Sequence, residues 1–247
     1  MAAGSPPLLW PDWPAPGNVR ACMSTREGGV SEGAFASLNL GLHSGDDSAQ
    51  VRLNRARLLQ AAGLPSAPPW LRQVHGTTVL PAHAIGPGDA PEADGVWTDQ
   101  PQLPCAVMAA DCLPVLLARR DGGAVAALHA GWRGLAAGVL EAGLAALPGA
   151  SSDYMAWLGA RIGPKGFVVR EDVRAAFNRP EDTAAFVGLG AGQWRADLGR
   201  LARHRLEAAG VAVHDSGLCT FSQPAIFYSH RRDGPCGRMA AIIWRVA

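Results

Sequence analysis

The chain has 247 residues, 48% of them hydrophobic and 17% charged, a composition that fills a substantial core and excludes a disordered tail. Twenty-two basic residues against 21 acidic ones leave a net charge of +1, which excludes the basic excess that sequence-independent nucleic-acid binding requires. Membrane insertion is excluded as well, because no apolar stretch approaches the roughly 18 residues of a span. The first seventeen residues carry Pro6, Pro7, Pro11, Pro14 and Pro16 but no basic region followed by an apolar run, so a cytoplasmic protein without a secretory leader is expected. Five cysteines, none in a CxxC pair, argue against a disulfide framework, so each is core, ligand or nucleophile.

In chain order, residues 1–17 form a proline-rich lead, and one domain is expected over 18–247. A strand at Val19–Ser24 is followed by a glycine-rich loop, Glu27-Gly28-Gly29-Val30-Ser31-Glu32-Gly33, suited to turns at positive φ. Asp46 and Asp47 are positioned to cap a helix running to about Ala62, with Val51, Leu58, Leu59 and Ala62 on one face and Gly63 and Pro65 stopping it. Residues 71–76 and 77–80 read as extended, then a Gly/Pro loop ends in Asp94-Gly95. Runs at 103–109, Leu113–Arg119 and 124–129 have strand length, and Asp121-Gly122 between the last two signals a tight hairpin. A two-residue loop there places Pro114 opposite His129 and puts Cys112 on the same face, within reach of a shared metal ion. After Gly131-Trp132-Arg133-Gly134, one helix is predicted through Leu135, Val139, Leu140, Leu144 and Leu147 to Pro148-Gly149. A strand at 155–162, helices near 171–177 and 196–209, and closing strands near Val211, Ile226 and 239–246 follow. Hairpins interspersed with helices predict an α+β fold.

Three potential ligands bracket these strands: His75, Cys112 and His129, at spacings of 37 and 17 residues. Two imidazoles and a thiolate suit zinc, and three protein donors leave a fourth position open, the catalytic rather than the structural pattern. The plainer alternative is one buried cysteine and two hydrogen-bonded core histidines.

Taken together, the strings Ser24-Thr25-Arg26-Glu27-Gly28-Gly29-Val30-Ser31, Leu38-Asn39-Leu40-Gly41, Asn54-Arg55, Gln73-Val74-His75-Gly76, Ala93-Asp94-Gly95, Ala110-Asp111-Cys112-Leu113-Pro114, His129-Ala130-Gly131-Trp132-Arg133-Gly134, Ile162-Gly163-Pro164, Cys219-Thr220 and Arg231-Arg232-Asp233-Gly234 resemble the YfiH/YlmD family of laccase-domain proteins, also called multicopper polyphenol oxidase-like purine nucleoside phosphorylases. The resemblance covers most of the chain. It implies a single α+β domain with mixed sheets flanked by helices, and it matches His75, Cys112 and His129 to the family's zinc triad. The implied chemistry is phosphorolysis of purine nucleosides (adenosine, inosine, guanosine, methylthioadenosine) to base and pentose 1-phosphate, with adenosine deamination as a second reaction.

Phosphate and nucleoside are then the expected partners, with Arg133 at a helix start and Arg26 in the glycine-rich loop as phosphate candidates. Gln73 shares strand parity with His75 and either orients substrate or satisfies a sheet edge. Asp94 and Asp111 either orient the ligating imidazoles or cap turns. Two positions depart from the family: Lys165, the chain's single lysine, stands where many relatives have cysteine, and Cys236 where threonine is common. A multicopper centre, suggested by the family's older name, needs about ten histidines, whereas the chain has seven. Two further functions compete: a cysteine-type peptidoglycan-editing amidase with Cys112 as nucleophile and His129 as base, and a non-catalytic zinc-stabilised binding module.

Overall fold

In the computed structural model, which describes residues 5–88 and 90–247, two β-sheets lie face to face with helices on their outer sides. The chain runs through β1 (Leu8–Leu9), β2 (Val19–Ser24), α1 (Ser48–Ala62), β3 (Val79–Pro81), β4 (Gly95–Thr98), β5 (Cys105–Ala109), β6 (Leu113–Arg119) and β7 (Val125–Ala130). Helices α2 (Trp132–Ala137) and α3 (Val139–Ala146) precede β8 (Tyr154–Leu158), β9 (Val168–Arg170) and α4 (Glu171–Ala175). Then come β10 (Phe186–Gly190), β11 (Gln193–Ala196), α5 (Leu198–Ala208), β12 (Ala212–Asp215), α6 (His230–Asp233) and β13 (Met239–Arg245).

One sheet is antiparallel, in the order β1-β2-β13-β5; the other is mixed, in the order β12-β8-β6-β7-β4-β3, with parallel pairs at both edges. Alternation along the strands separates the layers. Val115 and Leu117 of β6 face α3 and α5, whereas Leu116 and Ala118 face Met23, Val107 and Ala241 of the other sheet. On the far side of the antiparallel sheet, Cys22, Ala240 and Ile242 meet Leu58 and Ala62 of α1. Strands buried on both faces carry continuous apolar runs, which is why the middle of the chain shows no polar alternation. No helix among the described residues is long and apolar enough to cross a membrane.

The hairpin register is the one the Asp121-Gly122 turn predicts: Pro114 pairs with His129 and Ala118 with Val125. Asp47 caps α1 through the Ala49 N–H at 2.8 Å, as its spacing predicts. Asn54 joins the buried face of α1, and its amide accepts from the Val30 N–H and donates to Ser31, Ser37 and Asn39, tying down the glycine-rich loop.

Four expectations change. The helix expected through residue 147 breaks at Gly138, whose φ of 100° caps α2 before α3 begins. Residues 71–76 form a loop with one bridge, Arg72 to Glu92, because His75 adopts a φ of 62° that no strand accommodates. The strand expected over 155–162 stops at Leu158: the Gly159 N–H still donates in register to the Pro114 carbonyl, but proline has no N–H to return a bond. Near Ile226 the chain makes a turn, its N–H donating to the Gln223 carbonyl. Two features were silent in the sequence. The antiparallel sheet β10-β11-β9 has a first strand exposed over 187–190, so it lacks a buried alternation. Within the proline-rich lead, β1 pairs with β2, and Leu9 and Trp13 pack on the core between the sheets.

Leu116 is fully buried between the sheets. Leu116→Ala is expected to destabilise the protein by about 2–5 kcal/mol, read as a lowered midpoint with an unchanged slope in urea unfolding; a shift below 1 kcal/mol contradicts the two-layer packing.

Candidate active site

The β6–β7 register carries Cys112, two residues before Pro114, to the same end of the sheet as His129. His75 reaches them from its loop, and the ligand atoms of all three residues lie within 4.8 Å of one another. Cys112 Sγ is 3.6 Å from His75 Nε2, and the two imidazole rings meet edge to face at 4.9 Å.

Asp94 organises this cluster. Pairing of β4 with β7 sets it beside His129, whose backbone N–H donates to the Asp94 carbonyl at 2.7 Å. The Asp94 carboxylate, fully buried, lies 2.8 Å from His129 Nδ1 and accepts from the N–H groups of Val74, His75 and Gly76. One side chain thus fixes an imidazole and the strained backbone that presents the other. Burial raises the Asp94 carboxyl, but these donors outweigh it and hold it below the usual carboxylate value.

The glycines of the His-Ala-Gly-Trp-Arg-Gly string admit the His75 loop. A Cβ on Gly131 would stand 2.6 Å from His75 Cδ2 and 3.0 Å from Cys112 Sγ, and one on Gly134 would stand 2.8 Å from the Gly76 carbonyl oxygen. Burial alone would raise the Cys112 thiol; facing His129 and His75, it is instead lowered to about 6. Burial would lower the His129 imidazole, yet the Cys112 thiolate and Asp94 raise it. The pair is poised as thiolate and imidazolium, the two groups a metal ion would stabilise and discharge.

The donor set fits a metal. Zinc bonded at about 2.3 Å to sulfur and about 2.05 Å to nitrogen sets a tetrahedral S···N edge of about 3.6 Å, the separation of Cys112 and His75. Asp94 on His129 Nδ1 leaves Nε2 for the ion, the usual outer partner of a ligating histidine.

The cluster opens into a cavity of about 700 Å³. Gln73 lines it, but both ends of its amide are engaged by the Met108 backbone, so it satisfies the open edge of β5. Arg133 also lines it, exposed and stacked on Trp132 at 4.3 Å. Arg26 lies outside the lining: its guanidinium donates to the Ala36 and Pro224 carbonyls and covers Tyr228. Asp111, at a φ of 93°, touches neither imidazole; its carboxylate accepts from the Thr220 hydroxyl and the Arg231 N–H, anchoring α6 to the Cys112 turn. Lys165 is exposed and lies outside the lining, and the Cys236 thiol is buried 3.8 Å from Arg238 Nη1. His43, His230 and Arg238 complete the wall, and periodicity had singled out none of them. Two of them are placed by contacts distant in sequence: Asp111 holds α6 through Arg231, 120 residues away, and Asn39 holds Arg238, 199 residues away.

Two stacked sheets with an open His–Cys–His cluster at their common end define the class, and the fold is that of the YfiH/YlmD proteins. The chain matches a Neisseria meningitidis structure with a TM-score of 0.94 at 47% identity, covering 97% of this chain and 99% of that one. It matches YlmD from Geobacillus stearothermophilus with a TM-score of 0.90 at 33% identity, covering 98% and 100%. The chain belongs to the family described as multi-copper polyphenol oxidoreductase laccase, whose model matches residues 20–246. Its relatives include a purine nucleoside phosphorylase of Pseudomonas aeruginosa, 50% identical over 240 residues (96% of this chain, 97% of that one). Purine nucleoside phosphorylase YfiH of Escherichia coli is 46% identical over 242 residues (97% and 99%).

In metal-stripped protein, Cys112 is expected to react with iodoacetamide at a rate that stays level from pH 8 down to about 7 and falls as pH drops through about 6, where the thiolate is protonated. Cys105, buried and raised by desolvation, stays unmodified. Peptide mapping by mass spectrometry reads both; a Cys112 rate that climbs tenfold per pH unit above 7 contradicts the ion pair.

Proposed function

We propose that the chain is a zinc-dependent purine nucleoside phosphorylase that converts adenosine, inosine, guanosine and methylthioadenosine to base and pentose 1-phosphate, with adenosine deamination as a second reaction. The observation that carries this reading is the three-donor cluster of His75, Cys112 and His129, held by Asp94, opening into a cavity whose charged wall is cationic. The relatives named purine nucleoside phosphorylase support the substrate class. His75, Cys112 and His129 would hold the zinc, which would supply a Lewis acid at the mouth of the cavity.

The remaining work falls to the chain. A cavity of about 700 Å³ lies in the size range of small-molecule sites, and its apolar wall at Leu71, Met108 and Ala109 suits a purine face. In phosphorolysis an oxygen of orthophosphate forms a bond to the ribose anomeric carbon while the glycosidic C–N bond breaks and the base leaves with a proton. Arg133 donates to the phosphate, and Asp94 keeps His129 in the tautomer that presents Nε2. Asp111, expected either to orient an imidazole or to cap a turn, takes the second role here: it reaches neither ring and anchors the turn carrying Cys112 to Thr220 and Arg231. With all five cysteines as free thiols, a reducing cytoplasm suits the site.

A multicopper centre is not proposed. Among the described residues one group of three or more ligating side chains is placed to share an ion. A second reading has a specific basis: the lowered Cys112 thiol beside His129 is also a nucleophile and base, as an amidase requires. A metal on Cys112 removes it from that role, so metal dependence separates the two.

Purified, metal-quantified protein is expected to release free base from inosine only when phosphate is added. Cys112→Ala should lose both the zinc and this cleavage, and unchanged turnover in that variant would sink the assignment. Arg133→Ala should raise the KM for phosphate about tenfold while the KM for nucleoside changes less; steady-state kinetics with each substrate varied separately decides it.

A further inference from the structure

Three arginines stand on the cavity wall, and they differ in what neutralises them. Arg72 pairs with Glu92, whereas Arg133 and Arg238 have no carboxylate partner among the described residues, and no acidic side chain lines the cavity.

Arg238 is the more firmly held. The fully buried Asn39 accepts through Oδ1 from the Arg238 N–H at 2.9 Å and from the Gly41 N–H at 3.0 Å, and the Leu40 N–H donates to the Arg238 carbonyl at 3.1 Å. Gly41 makes room for the side chain, since a Cβ there would stand 2.9 Å from Arg238 Cγ. On one side of the guanidinium, Nη1 donates to the carbonyls of Cys236 at 2.7 Å and Gly237 at 3.1 Å. The opposite edge, Nε and Nη2, makes no hydrogen bond to any described residue. That edge carries two parallel N–H groups, the arrangement that fits two oxygens of a phosphate.

We propose that the Nε–Nη2 edge of Arg238 is the oxyanion fork of this cavity. It fills the second phosphate position that the sequence suggested for Arg26, whose own donors are spent on the Ala36 and Pro224 carbonyls. The proposal rests on the phosphorylase reading for naming free orthophosphate as the ligand; the fork's chemistry equally fits the phosphate group of a purine nucleoside 5′-monophosphate.

The test is calorimetric titration of the full-length, zinc-loaded protein with inorganic phosphate and, separately, with a purine nucleoside 5′-monophosphate. Arg238→Met keeps the apolar stem and is expected to weaken phosphate binding about ten- to hundredfold. Arg238→Lys should recover little of that loss, because one ammonium cannot make two parallel bonds. Gly41→Ala, which leaves the arginine in place but crowds it, should weaken binding in the same direction. Thermal unfolding and zinc content identify any variant that has not folded, and the folded ones carry the comparison. Loss for orthophosphate assigns the fork to the free ion, and loss for the monophosphate alone assigns it to a nucleotide. Unchanged affinity for both in the folded Arg238 variants overturns the proposal, as does the absence of binding of either ligand by the wild type. Since binding is read without turnover, a protein that binds phosphate through Arg238 yet cleaves no nucleoside refutes the proposed activity and leaves the fork standing.

Discussion

A carboxylate without contact with water is costly unless donors surround it, and the whole site is organised around meeting that requirement at Asp94. Three consecutive backbone N–H groups, from Val74 to Gly76, and the His129 ring close around it. Each hydrogen bond to a charged group is worth about 1.5–3 kcal/mol, enough together to hold His75 at a φ of 62° that side chains seldom adopt. The strain at His75 and the burial of Asp94 therefore support each other. The two glycines that open α2 exist in the same context, because the bound loop passes too close for a side chain at either.

What could be read from the sequence follows the range of the forces involved. The Asp121-Gly122 turn is local chemistry, and from it came the register that sets Pro114 against His129 and brings Cys112 alongside. The capping of α1 by Asp47 is equally local. His75 was recognisable as a donor, but its loop was taken for a strand because the partner that bends it lies 19 residues away. Gln73 illustrates the same limit: its parity with His75 suggested a substrate contact, while the structure engages it with the backbone of Met108, 35 residues on. The break at Gly138 was concealed by an apolar rhythm that continues across it into α3.

The arginines show why residue type alone does not assign a role. Arg26 and Arg238 are each held by backbone carbonyls, yet Arg26 gives Nε, Nη1 and Nη2 to them and Arg238 only Nη1. A guanidinium becomes a ligand-binding group through the donors it has left over. Cys236 contributes a carbonyl and a thiol to that partial engagement.

The central position of β13 has a temporal consequence. Although last in sequence, it lies between β2 and β5, so the antiparallel sheet stays split until residues 239–245 arrive. A chain emerging from the ribosome exposes its earlier segments first. The strands and loop carrying His75, Cys112 and His129 are available more than a hundred residues before α6 and Arg238 wall the cavity. During synthesis the half of the site that carries the three donors thus precedes the half that encloses it.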